Sequence, residues 1–190
     1  GITQGFIVPK NAAGVTISDE REKLMSLNAL PLYRVSLESV KVPAANRLGG
    51  ADGHNFDVIL ASMRVATAAT AVGVANAAFE YSMNYAKERE AFGVKIAQKQ
   101  AIAFMLAEMR TEIEASRLLT WEAAWKLDQG KDDAFVEAYL AATGAADMAM
   151  MVTDRAVQIL GGHGYIREHP VEMWMRNGRG FATFTGLAIV

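Results

Sequence analysis

From Asn55 onward, apolar side chains recur at three- and four-residue steps: Val72, Ala75, Phe79, Met83 and Ala86, then Ile102, Leu106, Met109 and Ile113, then Met148, Met151, Val152 and Ile159. A helix returns to the same face every 3.6 residues or so, and these stripes predict helices over roughly 55–90, 98–129 and 132–160, with a shorter one after Pro170. Each long helix would span about 45 Å, and the short connections between them force antiparallel neighbours. Gly130 with Lys131, Asp132 and Asp133 reads as a stop followed by a cap, and Gly93 and the pair Gly161 and Gly162 close the other two helices. The first fifty residues follow a different pattern. Gly5 to Val8, Gly14 to Ile17 and Tyr33 to Leu37 are short β-leaning runs, punctuated by Pro9, Pro31 and Pro43. The expected fold is mainly α: an antiparallel up-down four-helix bundle preceded by a partial β-sheet segment. The glycine-rich stretch Gly49 to Gly53 marks the boundary, giving domains of 1–52 and 53–190.

Composition narrows the picture. The chain has 190 residues, with 19 lysines and arginines against 21 acidic residues and no cysteine. A net charge of −2 argues against a surface built to condense on nucleic acid or anionic membrane. The missing cysteines remove disulfides, thiolate nucleophiles and cysteine metal sites, and make a reducing cytoplasm the default expectation. The apolar run from Val65 to Phe79 lies between Arg64 and Glu80 and is rich in alanine, so it reads as a packed helix and no membrane span is expected. The opening Gly-Ile-Thr-Gln-Gly-Phe-Ile-Val-Pro is strand-like at once and carries no initiator methionine, which leads to the expectation of an excised piece.

Few residues present themselves for chemistry. His54, His163 and His169 lack metal-ligand spacing, and no serine stands in a nucleophile elbow. Gly161, Gly162, His163 and Gly164 follow a helix rather than a strand, so they read as a helix C-cap and not a dinucleotide turn. The segment Lys87 to Gly93, KEREAFG, taken alone is a solvated face with Phe92 as the contact of a closing turn and Gly93 as its left-handed residue.

The joint order of features changes this weighing. VKVP and Leu-Gly-Gly, a long helix with Arg64, KEREAFG, Gln100, QILGGHGY and Pro-Val-Glu-x-x-x-Arg together resemble the acyl-CoA dehydrogenase superfamily over nearly the whole chain. The resemblance implies the second half of a middle β-domain followed by the C-terminal helical domain. It implies FAD as cofactor, bound in part by Arg89, Phe92, Gly93, Gln100, Gln158 and Gly162 reaching a neighbouring subunit, with Arg64 on the substrate side. It implies an acyl-CoA thioester as substrate, an acceptor such as an electron-transfer flavoprotein, and a homodimer or homotetramer. The base that removes the α-proton in such enzymes is a glutamate, and at its two usual places this chain has Thr185 and Met63. A neutral hydroxyl or thioether cannot serve as a resting carboxylate base. Three readings stay open: α,β-dehydrogenation with the base elsewhere, for instance Glu168 or Glu172; a flavin-dependent monooxygenase, which needs no such base; and a catalytically silent bundle for oligomerisation or binding.

Overall fold

A computed structural model describes residues 3–183. It divides into two compact units, 1–60 and 61–190. In the first, β1 (Val15–Ile17) pairs antiparallel with β2 (Val35–Leu37), placing Val15 opposite Leu37 and Ile17 opposite Val35. The expected strand at Gly5 to Val8 is reduced to one bridge between Phe6 and Arg47. Arg47 holds that edge by donating from Nε to Gln4 Oε1 at 3.0 Å and from a terminal nitrogen to the Ala51 carbonyl at 3.3 Å.

The helices follow the stripes. They are α1 (Phe56–Glu88), α2 (Gln100–Asp128), α3 (Ala134–Leu160), a single turn α4 (Gly162–Tyr165) and α5 (Val171–Phe181). Asn55 caps α1 by accepting the Asp57 N–H at 3.0 Å. Gly130 ends α2 at φ +59°, a value a side chain would resist. Pro170 precedes α5, where its missing N–H is no loss.

The bundle core is graded along its length. Toward the end of α1, Phe79 packs with Met109, Ile113, Met148, Val152 and Ile159. Toward the α2–α3 connection the buried set is almost all alanine: Ala68, Ala71, Ala123, Ala141, Ala145 and Ala149, closed by Phe181. α5 lies close on α3, because a Cβ at Gly178 would sit 2.6 Å from Thr153 Oγ1. Both α1 and α3 are long and apolar enough, by length and composition, to cross a membrane. Part of each apolar face is packed away: Val72, Ala75 and Phe79 of α1 and Met148, Val152 and Ile159 of α3 are buried in one cluster with Met109 and Ile113 of α2.

One local expectation needs correction. α1 stops at Glu88, and the segment after it is a hairpin, β3 (Glu90–Ala91) against β4 (Val94–Lys95), not a helix-closing turn. Phe92 makes no closing hydrophobic contact, being 95% exposed with φ +55° beside Gly93 at +80°. Two consecutive left-handed residues form the tight loop that matches strand twist. Gly161 ends α3 at φ +60°, as the cap reading expects, and the glycines beyond it begin a new helical turn at once.

Candidate functional site

Among the described residues, three of the grooves in the helical unit differ in charge. One of about 430 Å³ runs between α2 and α3 beside Glu108, Glu112 and Asp147, with Arg155 already paired to Glu108. Another, of about 280 Å³, carries Asp147 and Asp154 with Arg179. The third, of about 370 Å³, is walled by Tyr85 and Arg89 at the end of α1, by Ala91 and Ile96 of the hairpin, and by Ile159 to His163 where α3 gives way to α4. It has a cation and no carboxylate.

That cation is free. No hydrogen bond or ion pair engages the Arg89 guanidinium among the described residues, whereas Arg34, Arg110, Arg117, Arg155 and Arg176 all have carboxylate partners. The neighbouring lysine is occupied: Lys95 pairs with Glu90 at 2.8 Å, a contact that holds the Glu90 carboxyl below its ordinary range, and donates to the last α1 carbonyl, Glu88 O, at 2.9 Å. The C-termini of α1 and α3 both face this end, so their dipoles disfavour an anion, and an unpaired guanidinium supplies the field that could still hold one. Gly161 and Gly162 leave the floor open, since a Cβ on either would meet nothing within 4 Å.

The structure thus brings Arg89 and Gly162 into one cleft. Phe92 and Gly93 form the tip of the adjoining hairpin, Gln100 begins α2, and Gln158 lies in the last turn of α3; all four are exposed and outside the cleft lining. Arg64 stands apart. It lies on α1, twenty-five residues before Arg89 and about 37 Å back along the helix axis, with its guanidinium over the Tyr139 ring, 5.1 Å from the centroid. The ring covers one face and leaves the N–H edges without partners among the described residues.

The family model described as acyl-CoA dehydrogenase, C-terminal domain, matches residues 56–188. The chain belongs to the acyl-CoA dehydrogenase family. It is 36% identical over 177 residues to the pig mitochondrial short-chain specific acyl-CoA dehydrogenase, covering 92% of this chain and 42% of that protein. It is 38% identical over 188 residues to the caffeyl-CoA reductase–Etf complex subunit CarC of Acetobacterium woodii, covering 97% and 49% respectively. Among solved structures, butyryl-CoA dehydrogenase of Megasphaera elsdenii superposes with a TM-score of 0.87 at 37% identity, over 96% of this chain and 48% of that one. The chain therefore spans about half the length of the curated relatives it matches.

Of the two positions where the resemblance expects the base, one is described. Met63 is half-buried on α1 beside Arg64, and Thr185 lies outside the described residues. Arg176 grips the Glu172 carboxylate with bonds of 2.9 and 3.1 Å, and that contact holds the acid below its ordinary pKa. Glu168 is exposed on the turn before α5.

Two pairs that sequence reading missed back the cleft. The Tyr85 hydroxyl meets His163 Nδ1 at 2.7 Å, and the Tyr81 hydroxyl meets His169 Nδ1 at 2.8 Å. Tyr81 and Tyr85 are one helical turn apart on α1, so a ladder of two tyrosines faces a ladder of two histidines. The tyrosine spacing was the available signal. Their partners lie 78 and 88 positions further along the chain, beyond the reach of local pattern.

Proposed function

We propose that the Arg89 cleft is a binding site for the diphosphate of FAD, within an oxidoreductase acting on acyl-CoA thioesters. The observation that carries this reading is a guanidinium with no partner among the described residues, in the wall of a cleft lined by two glycines and no carboxylate. The residues fit a dinucleotide: Arg89 offers paired donors to phosphate oxygens, and Gly162 lets the backbone approach it. Phe92, Gly93, Gln100 and Gln158, exposed and close in sequence to the residues that wall the cleft, are proposed to meet the rest of the extended ligand. FAD, when bound, supplies the hydride acceptor. Arg64, held flat by Tyr139 with its edges free, is proposed to face the acyl-CoA. Because Arg64 on α1 and Arg89 just past its end are about 37 Å apart, each would serve a different composite site, which favours a homodimer or homotetramer, with an electron-transfer flavoprotein as the outside acceptor.

The main reading is α,β-dehydrogenation of the thioester. A second reading, flavin-dependent oxygenation on the same scaffold, is favoured by Met63 and Thr185, neither of which can take a proton. Mixing the intact protein with acyl-CoAs under argon separates them: anaerobic bleaching of flavin absorbance supports dehydrogenation, and turnover only with oxygen and an added reductant supports the second. The site itself is tested by Arg89→Ala. Losing a charge-assisted bond of about 1.5–3 kcal/mol weakens flavin retention roughly 10- to 150-fold. Unchanged retention after gel filtration would overturn the assignment.

A further inference from the structure

We infer that Tyr85 and His163 are positioning residues for the cleft: the hydrogen bond between them ties the single turn α4 to the end of α1, and so fixes how far the Gly161 and Gly162 backbone stands from Arg89. This rests on the nucleotide reading of the cleft. The walls have two origins. Tyr85, Arg89, Ala91 and Ile96 come from the end of α1 and the hairpin, while Ile159 to His163 come from the end of α3 and the start of α4. A ligand that needs both walls binds best when their separation is set beforehand.

The first wall is fastened through its backbone. Arg89 N–H donates to the Tyr85 carbonyl at 2.8 Å, and Ile96 N–H donates to the Arg89 carbonyl at 2.9 Å. The second wall has less to hold it. α4 is four residues long, too short to persist on its own hydrogen bonds, and it enters through Gly161 at φ +60°. Gly164 is buried, and a Cβ there would collide with the Val157 carbonyl, so α4 is pressed against its parent helix α3. That contact does nothing to fix α4 relative to α1. The bond of 2.7 Å from the Tyr85 hydroxyl to His163 Nδ1 does. It starts one helical turn before Arg89 and ends on the residue next to Gly162, so it closes the base of the cleft. Edge-on packing of the Tyr85 ring against both His163 and His169, with centroids 6.1 and 5.9 Å apart, limits how far the hydroxyl can swing.

The neighbouring pair supplies an internal comparison. Tyr81, one turn earlier on α1, meets His169 Nδ1 at 2.8 Å and packs edge-on against Trp174 of α5, 5.8 Å between centroids. The chemistry and length of the two bonds are nearly the same, yet neither Tyr81 nor His169 belongs to the cleft lining. The Tyr81 bond serves the fold. The Tyr85 bond serves the fold and the ligand.

The test is equilibrium dialysis of FAD against the intact protein, with a thermal melt of each variant. Tyr85→Phe removes one oxygen atom and should raise the dissociation constant about three- to tenfold. His163→Leu should do the same, and the double variant should bind no more weakly than the weaker single one, because both changes break one bond. His163→Asn offers an amide oxygen in place of Nδ1 and should regain most of the affinity that His163→Leu loses. Tyr81→Phe should melt lower by about as much as Tyr85→Phe and still bind FAD like wild type. Wild-type affinity in Tyr85→Phe, or an equal loss in Tyr81→Phe, overturns the positioning role. Should Tyr85→Phe fail to fold, the comparison at His163 decides: His163→Asn as weak as His163→Leu overturns it too. If Arg89→Ala releases FAD while Tyr85→Phe and His163→Leu retain it, the positioning role alone fails. If none of the three moves retention, the nucleotide reading fails with it.

Discussion

The two ends of the helical bundle handle charge in opposite ways. Where α2 turns into α3, Lys126 is 14% exposed and meets three carboxylates: Glu122 at 3.2 Å, Asp133 at 2.7 Å and Glu137 at 2.9 Å. Its hydrogen bonds to Asp133 and Glu137 raise the ammonium above its ordinary range, and Lys126 in turn lowers the Asp133 carboxyl. At the other end, Arg89 has no such company, and the left-handed turn beside it carries an exposed phenylalanine. A charge matched within the chain serves the fold. A charge left unmatched beside a cleft is available to something else. The core follows the same division, with alanines under the closed end and bulky side chains under the open one. Large side chains keep the helix ends and the His–Tyr pairs in place around an indentation that close-packed alanines would have eliminated.

The strongest way to break this contrast is to remove a support beneath the open end. Met109 is 0% exposed and sits in the cluster that also holds Phe79 and Ile159. Met109→Ala should lower the unfolding free energy by about 2–5 kcal/mol, read from urea or thermal melts. A loss well below 1 kcal/mol would mean that the bulky cluster does not support this end.

Lys126→Met sharpens the contrast from the closed end. At neutral pH the variant should melt at a lower temperature, with three carboxylates left facing one another. The sign of the pH dependence follows from the shifts. Asp133 is depressed in the folded state, so its contribution is complete above the ordinary carboxylate pKa of about 4 and is lost as pH falls through its lowered value. Lys126 is raised, so its contribution is complete below about pH 10 and is lost as pH rises through its raised value. The melting gap between wild type and variant should therefore be widest between those limits and narrow on both sides. A gap that stays constant into acid would sever it from this network.

The sequence made the closed end and the helices legible because they obey local rules. Stripes at helical period place α1, α2 and α3 within a few residues, and Gly130 with the following acids marks the one tight connection. The open end was legible only through resemblance, and then only in part. KEREAFG read locally as a closing turn, because Phe-Gly is not among the dipeptides that announce a hairpin and strands two residues long leave no alternation to detect. The histidines looked idle since metal spacing was the pattern sought, while their tyrosine partners were far off in sequence. Arg89, Gly162 and His163 become one site only when α1 and α3 end side by side.

Phe92→Gly should have the smallest effect on the fold and the most telling one. Phe92 holds φ +55° at 95% exposure, with Lys99 Nζ 5.6 Å from its ring centroid as the recorded aromatic contact. A left-handed conformation costs a non-glycine residue about 1–2 kcal/mol. The added freedom of glycine in the unfolded chain returns about 0.4–1 kcal/mol of that, so the melting temperature should hold steady or rise slightly. If the exposed ring meets the flavin proposed for the cleft, flavin retention should fall in the same variant. If the melting temperature drops instead, as it would for a core residue, Phe92 is structural, and the open end loses one of the two features that distinguish it.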